Sequence, residues 1–226
     1  PLTMDIETLS STVSGWFKTN QSPEDLSQDL ADAIDASACG QISSLIVPHD
    51  HQLAECHQEK IIRPKFSFDP IDPVSINAAA QLLRTHRTTA LILGGRTLRE
   101  RGLQAAARIK AVTGCDLICE HLPAYVDRGT GLPEVMRIPY FPEQAINLLS
   151  RYEAVVMVQV KEPVSFFGYE GSSSYLLGAG QKKVNIAGKG QDSGEVLEQL
   201  GEVLGAGMSR KIPGTVLAKR RPEEPE

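Results

Sequence analysis

Thr89-Ala90-Leu91-Ile92-Leu93-Gly94-Gly95-Arg96-Thr97 decides the fold class of this chain. Its apolar run is uninterrupted and ends in two glycines. Such a run, bounded by turn residues, reads as a strand buried on both faces, as in a parallel sheet. Helical periodicity follows from Leu98 through Ile109 and Val112. Gly94 and Gly95 permit positive φ and close backbone approach. The helix expected after them aims its unpaired N–H groups at the same spot, an arrangement suited to an anion. Gly94, Gly95 and Arg96 are therefore the candidate ligand-binding residues.

Downstream, Gly114 closes that helix and Cys115-Asp116-Leu117-Ile118-Cys119 is the next strand. Glu120 to Tyr140 reads as a long loop, and a helix starts at Pro142. Ala154 to Val160 and Lys183 to Ala187 are two further strands. Asp192 or Ser193 caps a last helix running to Leu204. Strands alternating with helices imply βαβ units and a parallel sheet, an α/β class. The Lys/Arg-rich, then Pro/Glu-rich tail from Met208 is expected to be disordered.

Upstream, Asp72-Pro73 has the cap-plus-proline signature of a helix start, and Ile76, Ala79, Ala80 and Leu83 form its inner face. Asp5 to Lys18 reads as an amphipathic helix through Ile6, Leu9, Val13 and Trp16. Ser22-Pro23-Glu24-Asp25 starts a second helix, with Leu26, Leu30, Ala33 and Ile34 as its apolar face. Ser44 to Val47 is a strand stopped by Pro48. Two helices and one strand cannot close a core alone, so this segment reads as the tail of a preceding domain. From Pro48 to Asp72 the periodicity lapses among prolines, as in a linker.

Length and composition narrow the function. A chain of 226 residues suits one large domain or two smaller ones. A net charge of −5, with no basic stripe, argues against a nucleic-acid partner. No apolar run is long enough for a membrane span. Four cysteines in a chain of this length point to reduced thiols and a cytoplasmic location. Residue 1 is proline rather than methionine, which reads as a processed chain or a piece of a longer one.

Other residues carry weaker chemistry. The fingerprint G-x-G-x-x-G is absent, although Glu120 is placed where it can reach a ribose. His49, His51, Cys56 and His57 cluster without a zinc-site spacing, so no metal site is expected. Cys115 and Cys119 share one strand face and read as buried apolar residues rather than a redox pair. Ser172-Ser173-Ser174 reads as a turn, and there is no G-x-S-x-G elbow. No catalytic constellation emerges from the residues themselves.

The order of parts carries a family resemblance. A strand ending Ile46-Val47-Pro48-His49-Asp50, a proline-rich linker, a helix and then Ala90-Leu91-Ile92-Leu93-Gly94-Gly95 resembles thiamine-diphosphate-dependent enzymes of the acetolactate synthase group. Arg137-Ile138-Pro139-Tyr140-Phe141-Pro142-Glu143 and Pro163-Val164-Ser165-Phe166-Phe167-Gly168-Tyr169 are similar to segments of its acetolactate-synthase-like members. Met4-Asp5-Ile6 and Val13-Ser14-Gly15-Trp16 are similar to the last helices of its pyrimidine-binding domain. The resemblance runs to about Gly207.

The resemblance implies that residues 1–50 end a partial α/β pyrimidine-binding domain and 51–72 link it onward. Residues 73–207 would then form a Rossmann-like central domain with a parallel sheet, and 208–226 a disordered tail. It further implies an enzyme, a transferase or lyase working on 2-oxo acids by carboligation or decarboxylation. Thiamine diphosphate and Mg²⁺ would be held by the other domains, in a homodimer or tetramer. The catalytic glutamate lies outside this stretch, and the Gly-Asp-Gly of the metal motif is absent from it. The missing N- and C-terminal domains would be the partners, and this chain alone would be inactive. In flavin-binding relatives the loop after the third strand commonly reads Gly-x-Arg-Phe. Here Gln159-Val160-Lys161-Glu162-Pro163 takes its place, so FAD is not expected, while ADP stays open with Arg96 and Lys161 offsetting Glu162. The alternative is a free-standing nucleotide-binding Rossmann-like module with a regulatory or sensor role.

Overall fold

A strand buried on both faces splits its side chains between two layers, and Thr89–Leu93 does so along its whole length. In the computed structural model, which describes residues 3–38, 40–56, 67–168, 170–171 and 173–206, the chain divides between Phe68 and Asp69 into two units.

The second unit opens with α1 (Pro73–Thr85), where Asp72 accepts the N–H groups of Val74 and Ser75. The sheet strands follow in order: β1 (Thr89–Leu93), β2 (Asp116–Cys119), β3 (Met136–Arg137), β4 (Ala154–Val158) and β5 (Lys182–Ala187). All neighbours are parallel, in the spatial order β3-β2-β1-β4-β5. The helices between them are α2 (Glu100–Thr113), α3 (Pro142–Leu149) and, at the end, α4 (Ser193–Leu204). Alternation along the strands sorts the core. Leu91, Leu93, Leu117, Val156 and Val158 join Ile76, Leu103, Ile109 and Leu197 in one layer. Ala90, Ile92, Ile118, Val155 and Met157 join Ala145 and Leu149 in the other. Cys115 and Cys119 are both buried in the first layer, as their even offset requires. The α/β class with a parallel sheet is therefore the architecture of this unit.

Two expectations for this unit are corrected. The helix does not follow the glycines directly. A 3-10 turn, Gly95–Leu98, comes first, and Arg99 is extended before α2 starts at Glu100. The Glu100 N–H at the start of α2 is already taken by Asp127 Oδ2 at 2.6 Å. The stretch 120–140 is not all loop, because Met136–Arg137 adds an edge strand. Of the two residues expected to cap α4, Asp192 does so, accepting the N–H groups of Gly194 and Glu195.

The first unit differs more. Its helix Ile6–Val13 stops short, and Trp16–Thr19 is a strand paired in parallel with Ser43–Ile46. The helical spacing of Val13 and Trp16 is coincidental, since Gly15 intervenes and its N–H joins the Ile42 carbonyl. Helix Leu26–Ala38 lies between those strands in sequence, and His49–Leu53 is helical where a linker was read. The apolar faces are largely uncovered: Leu9, Val13, Leu30 and Ile34 are exposed. Most of its buried described residues are polar: Ser10, Asn20 and Asp29, beside Ala33. Asp29 is fully enclosed, ion-paired with Lys18 at 2.6 Å and bonded to Asn20 Nδ2 at 2.8 Å. Asn20 Oδ1 in turn meets His51 Nδ1. The tail from Met208, like His57, Tyr169 and Ser172, lies outside the described residues.

Candidate functional site

In an open parallel sheet, ligands bind where the strand order reverses, beyond the carboxyl ends. Here the chain builds outward from β1 through β2 to β3, then returns to β4 on the opposite side of β1. The reversal lies between β1 and β4, and the residues at their carboxyl ends are Gly94 and Gln159. The sequence-derived residues Gly94, Gly95 and Arg96 thus stand at the switch point.

Close approach explains the first glycine. A Cβ on Gly94 would meet the Gln159 carbonyl oxygen at 2.7 Å and Val160 Cβ at 2.9 Å. Gly95 has φ 51°, a left-handed conformation that L side chains rarely adopt. Thr97 locks the turn, its hydroxyl donating to the Gly94 carbonyl at 2.6 Å.

The N–H donors of the turn are already engaged. The Arg96 N–H donates to Gln159 Oε1 at 2.6 Å, and the buried Ser193 hydroxyl donates to the same oxygen at 3.0 Å. The Gly95 N–H is taken by Glu120, whose carboxyl pKa is nonetheless raised, because burial outweighs that bond. Gln159 itself has φ 54°, the one described non-glycine residue with positive φ. An amide oxygen and a carboxylate therefore engage the N–H donors that a phosphate at this turn would need. A phosphate here would have to displace both.

Charges around the crevice are also committed differently from the sequence reading. The Arg96 guanidinium donates to the carbonyls of Lys189 and Gln191, at 3.2 and 3.0 Å, and so anchors the loop after β5. Glu162 is ion-paired with Lys183, a partner other than the Arg96 and Lys161 expected to offset it. Glu120 serves the Gly95 N–H rather than standing free for a ribose. Among the described residues, no three His, Cys, Asp or Glu side chains converge to hold a metal.

The sequence did not mark Gln159 as a site residue. Nothing local marks Gln159, because its partner Arg96 lies far away in sequence. An aromatic group also went unread: Tyr140 stacks on Phe166 at 5.4 Å, and Phe166 meets His121 edge-on at 5.2 Å.

No family model matches the chain. Over 216 residues it is 33% identical to a Mycobacterium tuberculosis (strain H37Rv) protein described as an acetolactate synthase large subunit, IlvX. That alignment covers 95% of this chain and 41% of the relative. Among solved structures, it resembles the thiamine diphosphate-dependent 4-hydroxybenzoylformate decarboxylase of Rhodococcus jostii RHA1, with a TM-score of 0.61 at 16% identity. The match covers 93% of this chain and 43% of that one. Benzoylformate decarboxylase from Polynucleobacter necessarius gives a TM-score of 0.60 at 14% identity, over 88% of this chain and 41% of the other. The chain thus spans well under half the length of each of these relatives.

Proposed function

We infer that this chain, which belongs to the thiamine-diphosphate-dependent enzyme family, is the non-catalytic middle of an acetolactate-synthase-like enzyme. Residues 1–50 are the end of its pyrimidine-binding domain and 73–207 its central domain. The whole enzyme joins or decarboxylates 2-oxo acids in the cytoplasm, as an oligomer, with thiamine diphosphate and Mg²⁺.

One observation carries this reading: the alignment with the acetolactate-synthase-like relative runs through both units, 95% of the chain. The first of those units leaves Leu9, Val13, Leu30 and Ile34 uncovered, as the end of a larger sheet domain would.

Thiamine diphosphate supplies a carbanion-stabilising centre when bound, but the described residues do not fit it. The turn donors at Gly95 and Arg96 serve Glu120 and Gln159. The described side chains form no cluster suited to the metal. No reaction step is therefore assigned to these residues. Their work is structural: the switch-point contacts fix the ends of β1, β4 and β5 relative to one another. The same contacts weigh against a free-standing nucleotide-binding module. Should ADP bind, its phosphates are placed at Gly94, Gly95 and Arg96 after Gln159 withdraws.

Calorimetric titration with thiamine diphosphate and Mg²⁺ tests the reading. The expected result is no saturable binding and no acetolactate from pyruvate for this chain, with both present for the intact polypeptide containing it. Saturable binding by the chain alone would overturn it, as would an inert intact polypeptide.

A further inference from the structure

A second concavity lies on the opposite side of β1 from the switch point, at the carboxyl ends of β2 and β3. It encloses about 430 Å³, a size within the range of small-molecule sites. Its apolar wall is Val126, Leu132, Pro133 and Val135, with Cys119 beneath. Two arginines, Arg128 and Arg137, both exposed to solvent, line the same space.

The charges on this wall are not balanced internally. Asp127 is committed: its carboxylate accepts the Glu100 N–H at 2.6 Å and lies 3.9 Å from Arg99. Glu134 also lines the cavity, yet among the described residues neither it nor Arg128 nor Arg137 takes part in an ion pair. Burial pushes the Cys119 thiol pKa up, and Arg137 beside it opposes that less strongly. With Asp127 neutralised, two cations face one carboxylate, leaving a site short of one negative charge. An arginine whose fork lacks a carboxylate suits bidentate recognition of one.

We propose that this cavity binds a small organic carboxylate, its head on Arg137 and Arg128 and its apolar body against Val126, Leu132 and Val135. The site is separate from the Gly94–Gly95 crevice and does not depend on the reading given above for the whole enzyme. Glu134 and Cys119 line the same cavity as the two arginines.

Hexanoate is a suitable probe, titrated into the 226-residue chain at low ionic strength, where exposed charges are least screened. Saturable one-to-one binding is expected, with Arg137→Gln and Arg128→Gln each weakening it about tenfold or more. Hexanol, which lacks the charge, and inorganic phosphate, which lacks the body, should bind more weakly than hexanoate. A second readout does not depend on the variants. Bound hexanoate should slow amide exchange over residues 126–137 while leaving residues 3–38 unaffected. Absence of saturable hexanoate binding would overturn the proposal. So would wild-type affinity in both arginine variants, phosphate binding as tight as hexanoate, or unchanged amide exchange over residues 126–137 under saturating hexanoate.

Discussion

Gln159 Oε1 lies 2.6 Å from the backbone nitrogen of Arg96, and this contact closes the crevice that the strand order opens. The oxygen accepts two hydrogen bonds, from Arg96 and from Ser193, on a backbone held at φ 54°. Residues in such sparsely populated conformations persist only where their surroundings fix them. Here the fixing comes from both sides, since the Gln159 N–H also donates to the Ala187 carbonyl at 3.1 Å.

Replacing Gln159 separates the two effects. Gln159→Ala leaves the Arg96 N–H and the Ser193 hydroxyl without their acceptor and keeps the backbone strain. A loss of about 1–3 kcal/mol is expected. Gln159→Gly loses the same bonds but relieves strain of about 1–2 kcal/mol, so it should be the milder change. Urea unfolding of the two variants decides this, and a glycine variant less stable than the alanine one would contradict it.

Gly94→Ala places a Cβ 2.7 Å from the Gln159 carbonyl oxygen, a backbone atom that cannot simply swing away. Overpacking of that kind costs about 1–3 kcal/mol. The thermal midpoint should fall accordingly, and a wild-type midpoint would show that β1 and β4 are free to spread.

How much of this was legible in the sequence depends on the range of the interaction. β1 and β4 were readable because an apolar run buried on both faces looks the same wherever it occurs. The caps at Asp72 and Gly114 were readable because capping acts within a few residues. The edge strand Met136–Arg137 was not, since both residues are exposed and two residues carry no period. In the first unit, Val13 and Trp16 imitate a helical repeat across a helix end and a strand start. The glycine pair was found, but what fills it was not. Glu120 and Gln159 reach Gly95 and Arg96 only after the sheet has formed, and no local pattern records that.

The first unit should open more readily than the second. Its apolar side chains Leu9, Val13, Leu30 and Ile34 are exposed, so little buried area opposes local unfolding. Amide exchange over residues 3–56 is expected to be faster than over 73–206, with early proteolysis before Asp72. Equal protection in both stretches would refute that difference.

Asp192 makes α4 sensitive to acid. Burial alone would raise its pKa, but the Glu195 N–H, the Arg101 guanidinium and the Gly194 N–H together hold it below the usual carboxylate value. A lowered folded-state pKa contributes stability that is present above the unfolded value near 3.9 and disappears as pH falls through the folded value. Asparagine caps about as well as aspartate, so Asp192→Asn removes the charge and spares the cap. Since Arg101 is half exposed, the expected loss at neutral pH is only about 0.5 kcal/mol. That difference should vanish by about pH 2. A gap that stays constant with pH would assign the loss to the cap instead.

Glu120 should behave in the opposite sense. Burial is the largest influence on its carboxyl and raises the pKa, while the Gly95 N–H and His121 pull it down less strongly. With the folded pKa above the unfolded value near 4.3, the folded state holds the proton more tightly. Stability from this group is then complete below the unfolded pKa and is lost as pH rises through the folded one. A glutamine at this position still offers an oxygen to the Gly95 N–H and carries no charge to desolvate. Glu120→Gln should therefore equal or exceed the wild type in stability at neutral pH. The wild type should gain on the variant as pH falls toward about 4. Urea midpoints of both proteins across that range measure the crossing. A variant weaker than the wild type by about 1 kcal/mol or more at neutral pH would mean that the charged bond to Gly95 outweighs burial.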